Sequence, residues 1–334
     1  MKVFVTGHRG YIGAHLVQLL KNEGHFVAGC DLNYYEGSEW SPIVPPDKEY
    51  FRDICTLSAL HFEGYDCVIH LAAISNDPMG ELDPKMTDII NRDASILLAR
   101  CAKKAGVPRF LFSSSCSIYG RNEWSELDEK SPLNPQSAYA KSKIEAEKGI
   151  AVLADEKFTP VFLRNATAYG DSPMLRLDLM VNNLMAYAYT TGEIQIKSDG
   201  SPWRPLTHVK DIARAFVAFL HAPKKEIHNQ AVNIGANSEN YQVWEVARKV
   251  SNCFPKARLV FTGEAGADPR DYRVNFDLLS RILPDFKLEY GLDRGIKELH
   301  RSFVENKLTR EDFEKGKYTR LTQLKKKMKP SKTV

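Results

Sequence analysis

Short apolar runs alternate with longer amphipathic stretches through the first half of the chain. This is the pattern of parallel βαβ units, in which each strand is followed by a helix that crosses back over the sheet. The runs predict strands at residues 2–6, 26–31, 50–53, 67–72, 109–115 and 160–164. The first helix follows Gly13, carries Ile12, Leu16, Leu19 and Leu20 on one face, and stops at Gly24, a C-terminal cap signal. Beyond about residue 165 the pattern loosens. Helices at 175–189, 209–220 and 241–250 alternate with short strands at 194–197, 231–234 and 259–262. The expected architecture is an α/β parallel sheet over 1–165, a smaller lobe over 166–310 interleaved with the end of that sheet, and a tail over 311–334.

Composition adds constraints. With 334 residues, 43% hydrophobic and 26% charged, the chain holds enough apolar material for one large domain or two moderate ones. The formal charge of +4 is small for this length, and much of the excess lies at Lys325, Lys326, Lys327, Lys329 and Lys332, read as a solvated basic tail rather than a nucleic-acid surface. Six cysteines without any CxxC spacing point to reduced thiols and a cytoplasmic protein, with neither a disulfide frame nor a metal site. No signal-peptide pattern precedes the first strand, and no apolar run reaches membrane-spanning length.

Chemistry enters at the first strand-to-helix turn. Gly7, Gly10 and Gly13 recur at a spacing of three after a strand and before a helix. Such a turn brings backbone against a pyrophosphate, which sits on the positive end of the helix dipole. Asp31 ends the second strand, where a carboxylate accepts both ribose hydroxyls and repels a 2′-phosphate, favouring NAD over NADP. Arg9 dissents, since a guanidinium in the loop suits a 2′-phosphate.

The second constellation is Ser115, Tyr139 and Lys143. Tyr139 and Lys143 lie four apart, so on a helix they share one face, and a nearby cation favours phenolate. Ser115 closes the fifth strand at the sheet edge where ligands of parallel α/β folds bind. The set suits hydride transfer at a carbon bearing oxygen, with Tyr139 moving the hydroxyl proton, Ser115 bonding the same oxygen, and Lys143 lowering the tyrosine pKa while holding a ribose.

Taken together these residues resemble the extended short-chain dehydrogenases/reductases, specifically the NAD-dependent nucleotide-sugar epimerase/dehydratase family, and are similar in pattern to UDP-galactose 4-epimerases. The likeness covers about residues 1 to 300. It implies a doubly wound Rossmann sheet with a C-terminal substrate lobe. It also implies cofactor contacts from Gly7, Arg9, Gly10, Tyr11, Ile12 and Gly13, from Asp53 and Ile54 at the adenine edge, from Leu71, Ala72 and Ala73 along the cofactor, and from Asn91 in the following helix. Substrate contacts are implied for Ser75, Ser115, Asn165, Asn183, Arg204 and Arg270, the two arginines converging on a diphosphate. His208 and Asp211 are expected to cap a helix, Trp203 to pack, and backbone and loop groups around 194–198 to read the base. A homodimer seam is implied around 90–98 and 144–153.

One departure narrows the reaction. Family members that dehydrate or decarboxylate carry acidic residues between the serine and the Tyr-Gly pair, where this chain has Cys116 and Ser117, and Cys116 is expected to pack. The expected function is therefore an NAD-dependent epimerase acting on a nucleotide-diphosphate sugar through a transient 4-keto intermediate. A nucleotide-sugar 4-dehydrogenase or 4-ketoreductase with exchangeable NAD(P)(H) stays open beside it.

Overall fold

The apolar runs pair edge to edge in the computed structural model, which describes residues 1–122, 126–263 and 270–328. In the first half the strands are β1 (Lys2–Thr6), β2 (Phe26–Asp31), β3 (Lys48–Phe51), β4 (Cys67–His70), β5 (Arg109–Ser115) and β6 (Thr159–Asn165). The second half adds β7 (Thr167–Tyr169), β8 (Glu193–Ile196), β9 (Trp203–His208), β10 (Gln230–Ile234), β11 (Asn240–Gln242) and β12 (Arg258–Phe261). Seven of these form one sheet in the order β10-β6-β5-β4-β1-β2-β3. Every pairing in it is parallel, β1 lying between β2 and β4 with Val5 beside both Gly29 and Ile69. Strand order reverses between β1 and β4, which opens a crevice above their C-terminal ends.

Continuous apolar runs such as β4 and β6 are buried on both faces because helices cover both sides. On one face, helices Gly13–Asn22 and Val209–His221 pack Leu16, Val17, Leu20, Phe216 and Phe219 onto the sheet. On the other, helices Ala94–Lys104 and Ala138–Ala151 contribute Leu98, Ala99, Ala146 and Ile150. The sheet expected from residues 1–165 is thus completed by β10 and covered by a helix from beyond that point.

Two elements sit clearly off their expected limits. β3 begins and ends two residues earlier than 50–53, because its register is set by β2, from Ala28 beside Lys48 to Asp31 beside Phe51. Asp53 then accepts from the Cys55 amide and caps a short 3-10 helix, Ile54–Thr56. The helix expected at 175–189 runs Met180–Thr191. Asn182 and Asn183 reach back to the carbonyls of Arg176 and Leu177, both at 2.9 Å, and hold residues 175–179 as a loop.

The second lobe joins β7, β9 and β11 in one small sheet and β8 and β12 in another. Its separate apolar cluster includes Val181, Leu184, Val246, Leu299 and Phe303. Where the sequence reads as a solvated tail, the described part of 311–334 is docked. Tyr318 and Arg320 are buried, the Tyr318 carbonyl accepts from the Leu177 amide at 2.9 Å, and Lys327 reaches the Tyr34 carbonyl. The helix Arg320–Met328 turns one face inward and leaves Lys325, Lys326 and Lys327 outside. Lys329 and Lys332 lie outside the described residues.

Candidate functional site

A cavity of about 1090 Å³ lies above the crevice between β1 and β4. At its floor Gly7 adopts φ +74°, the Gly10 amide bonds the Gly7 carbonyl at 2.9 Å, and the helix Gly13–Asn22 starts at once. A Cβ on Gly13 would stand 2.1 Å from the Gly7 oxygen, and one on Gly7 2.7 Å from the Ala72 nitrogen, so side chains are excluded from this cradle. Tyr11 and Ile12 complete the turn, the Tyr11 hydroxyl donating to the Gly170 carbonyl at 2.6 Å.

Asp31 stands beside the turn, each carboxylate oxygen accepting one amide, Arg9 at 3.2 Å and Asn33 at 2.8 Å. Lone pairs remain for two hydroxyls. The Arg9 guanidinium, the dissenting signal, is bound to Glu49 at 2.8 Å and lies over the Phe51 ring. A turn that bares amide donors at a helix N-terminus, next to a carboxylate with free acceptors, fits NAD. Asp53, Ile54, Leu71, Ala72 and Ala73 line the same cavity.

Ser115, Tyr139 and Lys143 enter from β5 and the helix Ala138–Ala151. Ser137 caps that helix through the Ala140 amide at 3.1 Å. One turn beyond Lys143, Glu147 accepts from Ser114 and pairs with Arg164 at 2.8 Å, which locks the helix to β5 and β6. Burial pushes the Tyr139 phenol up to about 12, and Asp77 adds to this; the Ser115 hydroxyl, Arg176 and Arg270 pull the other way. Lys143 lies about one turn from Tyr139, as its spacing implies, but does not bring the phenol down as expected, since the phenol is raised. Its ammonium lies 5.8 Å from the Tyr139 ring centre, over Phe112, and donates to the Ser113 carbonyl at 2.8 Å. Burial lowers it to about 7 despite Glu147.

On the second-lobe side the cavity takes in Ser75, Asn165, Asn183, Arg204 and Arg270. Asn165 donates to Ser113 Oγ at 3.0 Å, while its carbonyl oxygen is buried without a partner. Arg270 binds Asp77 at 2.8 Å, and Arg204 reaches the carbonyls of Trp203 and Arg270. Trp203 is covered by the Arg273 guanidinium, 4.8 Å from its ring centre. His208 caps the helix Val209–His221, and Asp211 accepts from the Glu289 and Tyr290 amides. The Cys116 sulfur is buried against the Arg164 carbonyl at 3.1 Å, and burial pushes its thiol up.

Asn91, expected to touch the cofactor, is set behind the wall. It is fully buried, accepts from the Ile74 amide at 2.8 Å, and donates to the Ile74 carbonyl and to Ser142 on the Tyr139 helix. A π-helical segment, Asp88–Asp93, turns it inward, so it is a positioning residue. Among the charged lining residues that escaped the sequence reading are Asp77, Arg176 and Asp178. Arg176 pairs with Asp178 at 2.7 Å and donates to Ser75 Oγ at 3.0 Å, and Asn76 donates to Asp178 at 2.8 Å. The polar run Ser75-Asn76-Asp77 just past a strand end was the one signal available for Asp77. Arg176 and Asp178 sit on an aperiodic loop that carries none.

The profile of the NAD dependent epimerase/dehydratase family matches residues 3–235. A Bacillus subtilis protein described as an uncharacterized UDP-glucose epimerase is 28% identical over 318 residues, 90% of this chain and 98% of the relative. Among solved structures, TunA, an NAD dependent NDP-hexosamine 5,6-dehydratase of tunicamycin biosynthesis, is similar at 25% identity with a TM-score of 0.81, over 91% of this chain and 98% of that one. MoeE5 in complex with UDP-glucuronic acid and NAD is also 25% identical, with a TM-score of 0.79 over 92% and 100%. With the glycine cradle, Asp31 and the Ser115–Tyr139 pair on one cavity, the chain belongs to the NAD dependent epimerase/dehydratase family.

Proposed function

We propose that the protein is an NAD-dependent epimerase that inverts C4 of a nucleotide-diphosphate sugar through a transient 4-keto sugar. The observation that carries this is that Ser115 and Tyr139 face the same cavity as the glycine cradle, with the Ser115 hydroxyl among the groups that favour the phenolate. Bound NAD supplies the acceptor and donor of hydride. Tyr139 takes the C4 hydroxyl proton and returns it, Ser115 holds the same oxygen, and Lys143 contributes positive charge from below. Asn165, Asn183, Arg204 and Arg270 hold the substrate's diphosphate, and Ser75 meets the sugar.

The absence of an acid at Cys116 and Ser117 favours epimerisation over loss of water. Asp77 is a carboxylate near Tyr139, but both of its oxygens accept, one from Ser137 and one from Arg270. That arrangement suits a fixed counter-charge better than a proton donor. The relatives include proteins named for UDP-glucose and UDP-glucuronic acid, so a panel of UDP-glucose, UDP-galactose and UDP-glucuronic acid is the first test. Interconversion of C4 epimers without net change in NAD supports the reading. A dehydrated sugar, or a released 4-keto sugar with NADH accumulating, sinks it.

The finer expectations of a cytoplasmic homodimer belong to the same proposal. Leu98 and Ile144, counted toward a seam, are buried inside the subunit, whereas Ile89 and Leu97 are exposed at 46% and 41% on that side. Pairing through Ile89 and Leu97 buries them against a second copy. Sedimentation of wild type and of Leu97→Glu checks it, and a monomeric wild type contradicts it.

A further inference from the structure

Arg320 opens the C-terminal helix Arg320–Met328, is 4% exposed, and lines the cavity with Leu321 and Leu324. Its guanidinium lies 3.8 Å from the centre of the Tyr35 ring, and one N–H reaches the Met174 carbonyl at 3.4 Å. Among the described residues no carboxylate comes within ion-pair distance. Burial and repulsion from Arg176 lower it only to about 10, so it is charged at neutral pH. Arg176 is satisfied by Asp178 and Ser75 and does nothing to neutralise it. A buried, unpaired cation facing a ligand cavity is costly unless a ligand anion completes it.

Its position selects the anion. Tyr35 belongs to the loop that leaves Asp31, and Met174 belongs to the loop whose Ser172 hydroxyl donates to the Tyr11 carbonyl at 2.8 Å. Arg320 therefore stands between the ribose side of the cavity and the loop tied to the glycine turn. Of the arginines assigned to the substrate, Arg270 acts on Tyr139, whereas Arg320, together with Arg176, acts on Tyr35 and Asp178.

We infer that Arg320 binds the diphosphate of the dinucleotide, so that the C-terminal helix forms the wall opposite the glycine turn and its guanidinium meets the phosphate oxygens the backbone amides leave over. This rests on the reading of the cavity as an NAD site. Guanidinium pairs bidentately with phosphate, and the desolvated position strengthens the contact.

The test is titration of the full-length chain, freed of resident dinucleotide, with NAD, ADP-ribose, adenosine and UDP, for wild type, Arg320→Gln and Arg320→Lys. ADP-ribose keeps the diphosphate, adenosine lacks it, and UDP reports the substrate side. Arg320→Gln is expected to weaken NAD and ADP-ribose about ten- to a hundredfold. Arg320→Lys recovers part of this loss, and adenosine and UDP change less than twofold. Unchanged NAD affinity overturns the inference. So does an equal loss for adenosine, which marks a purely structural wall, and so does a loss confined to UDP, which assigns the guanidinium to the substrate's phosphates. Arg320→Lys guards against misfolding of the glutamine variant. A wild-type chain that takes up no NAD fails the dinucleotide reading itself, a result distinct from any that concerns Arg320 alone.

Discussion

Arg9 donates from Nε to Glu49 Oε1 at 2.8 Å, with its guanidinium laid over the Phe51 ring, so the only cation in the glycine turn is held by the edge strand β3. His8 reaches the same oxygen at 2.7 Å. The contact ties the glycine turn to β3 and engages the guanidinium there. Glu49→Gln releases the guanidinium, and the affinity for NADP relative to NAD is expected to rise about tenfold. Binding of both dinucleotides checks this, and an unchanged ratio contradicts it.

Tyr139→Phe removes the proton relay while leaving the ring that lines the cavity. Turnover is expected to fall by about 10² to 10⁴, with NAD affinity changed by no more than a few-fold. Steady-state rates alongside NAD titration measure the two separately. Parallel losses in both place the phenol in cofactor binding instead.

Asn91 acts through the residues it bonds. Asn91→Leu leaves the part-buried Ile74 amide and carbonyl without their side-chain partner and is expected to cost about 1 kcal/mol of stability per lost bond. Turnover falls with it because Ser142 and the Tyr139 helix lose a tether. Denaturant unfolding and turnover at a temperature where the variant stays folded measure both effects. Full stability in the variant argues against the tether.

Acid should weaken the fold through two buried imidazoles. Burial lowers His15 to about 4 and His70 to about 3, below the ordinary 6.5 of an unfolded chain. His70 is bonded to Thr6 at 2.6 Å and Ser95 at 2.8 Å, and His15 to the Asp171 carbonyl at 2.9 Å. As pH falls below 6.5 the unfolded chain takes up protons at both positions while the native chain does not. Stability is therefore expected to decline by up to about 1.4 kcal/mol per pH unit for each, down to about pH 4. Urea unfolding at pH 5, 6 and 7.5 reads the slope, and a flat profile rules the coupling out.

Much of the fold was legible because it rests on contiguous stretches. β1, β2 and β5 begin and end where their apolar runs do, since a parallel strand covered on both faces shows as an unbroken run. β3 and the helix at Met180–Thr191 were misplaced because their limits depend on partners, the register of β2 in one case and side-chain bonds to a loop in the other. The tail misled for a similar reason. Its lysines dominate the composition, while the few inward residues that dock it, Tyr318 and Arg320, have no local signature.

The candidate site divides along the same line. Glycines three apart before a helix, and a tyrosine and lysine four apart on one, are written in the chain because backbone geometry turns their spacing directly into a cradle and a shared face. The counter-charges could not be read there: Asp77 meets Arg270 across 193 positions, and Glu49 meets Arg9 across 40. Such pairs exist only once strand order and lobe packing bring distant segments together. Burial then sets the charge state of each group, as it does for Lys143 at about 7 and Tyr139 at about 12.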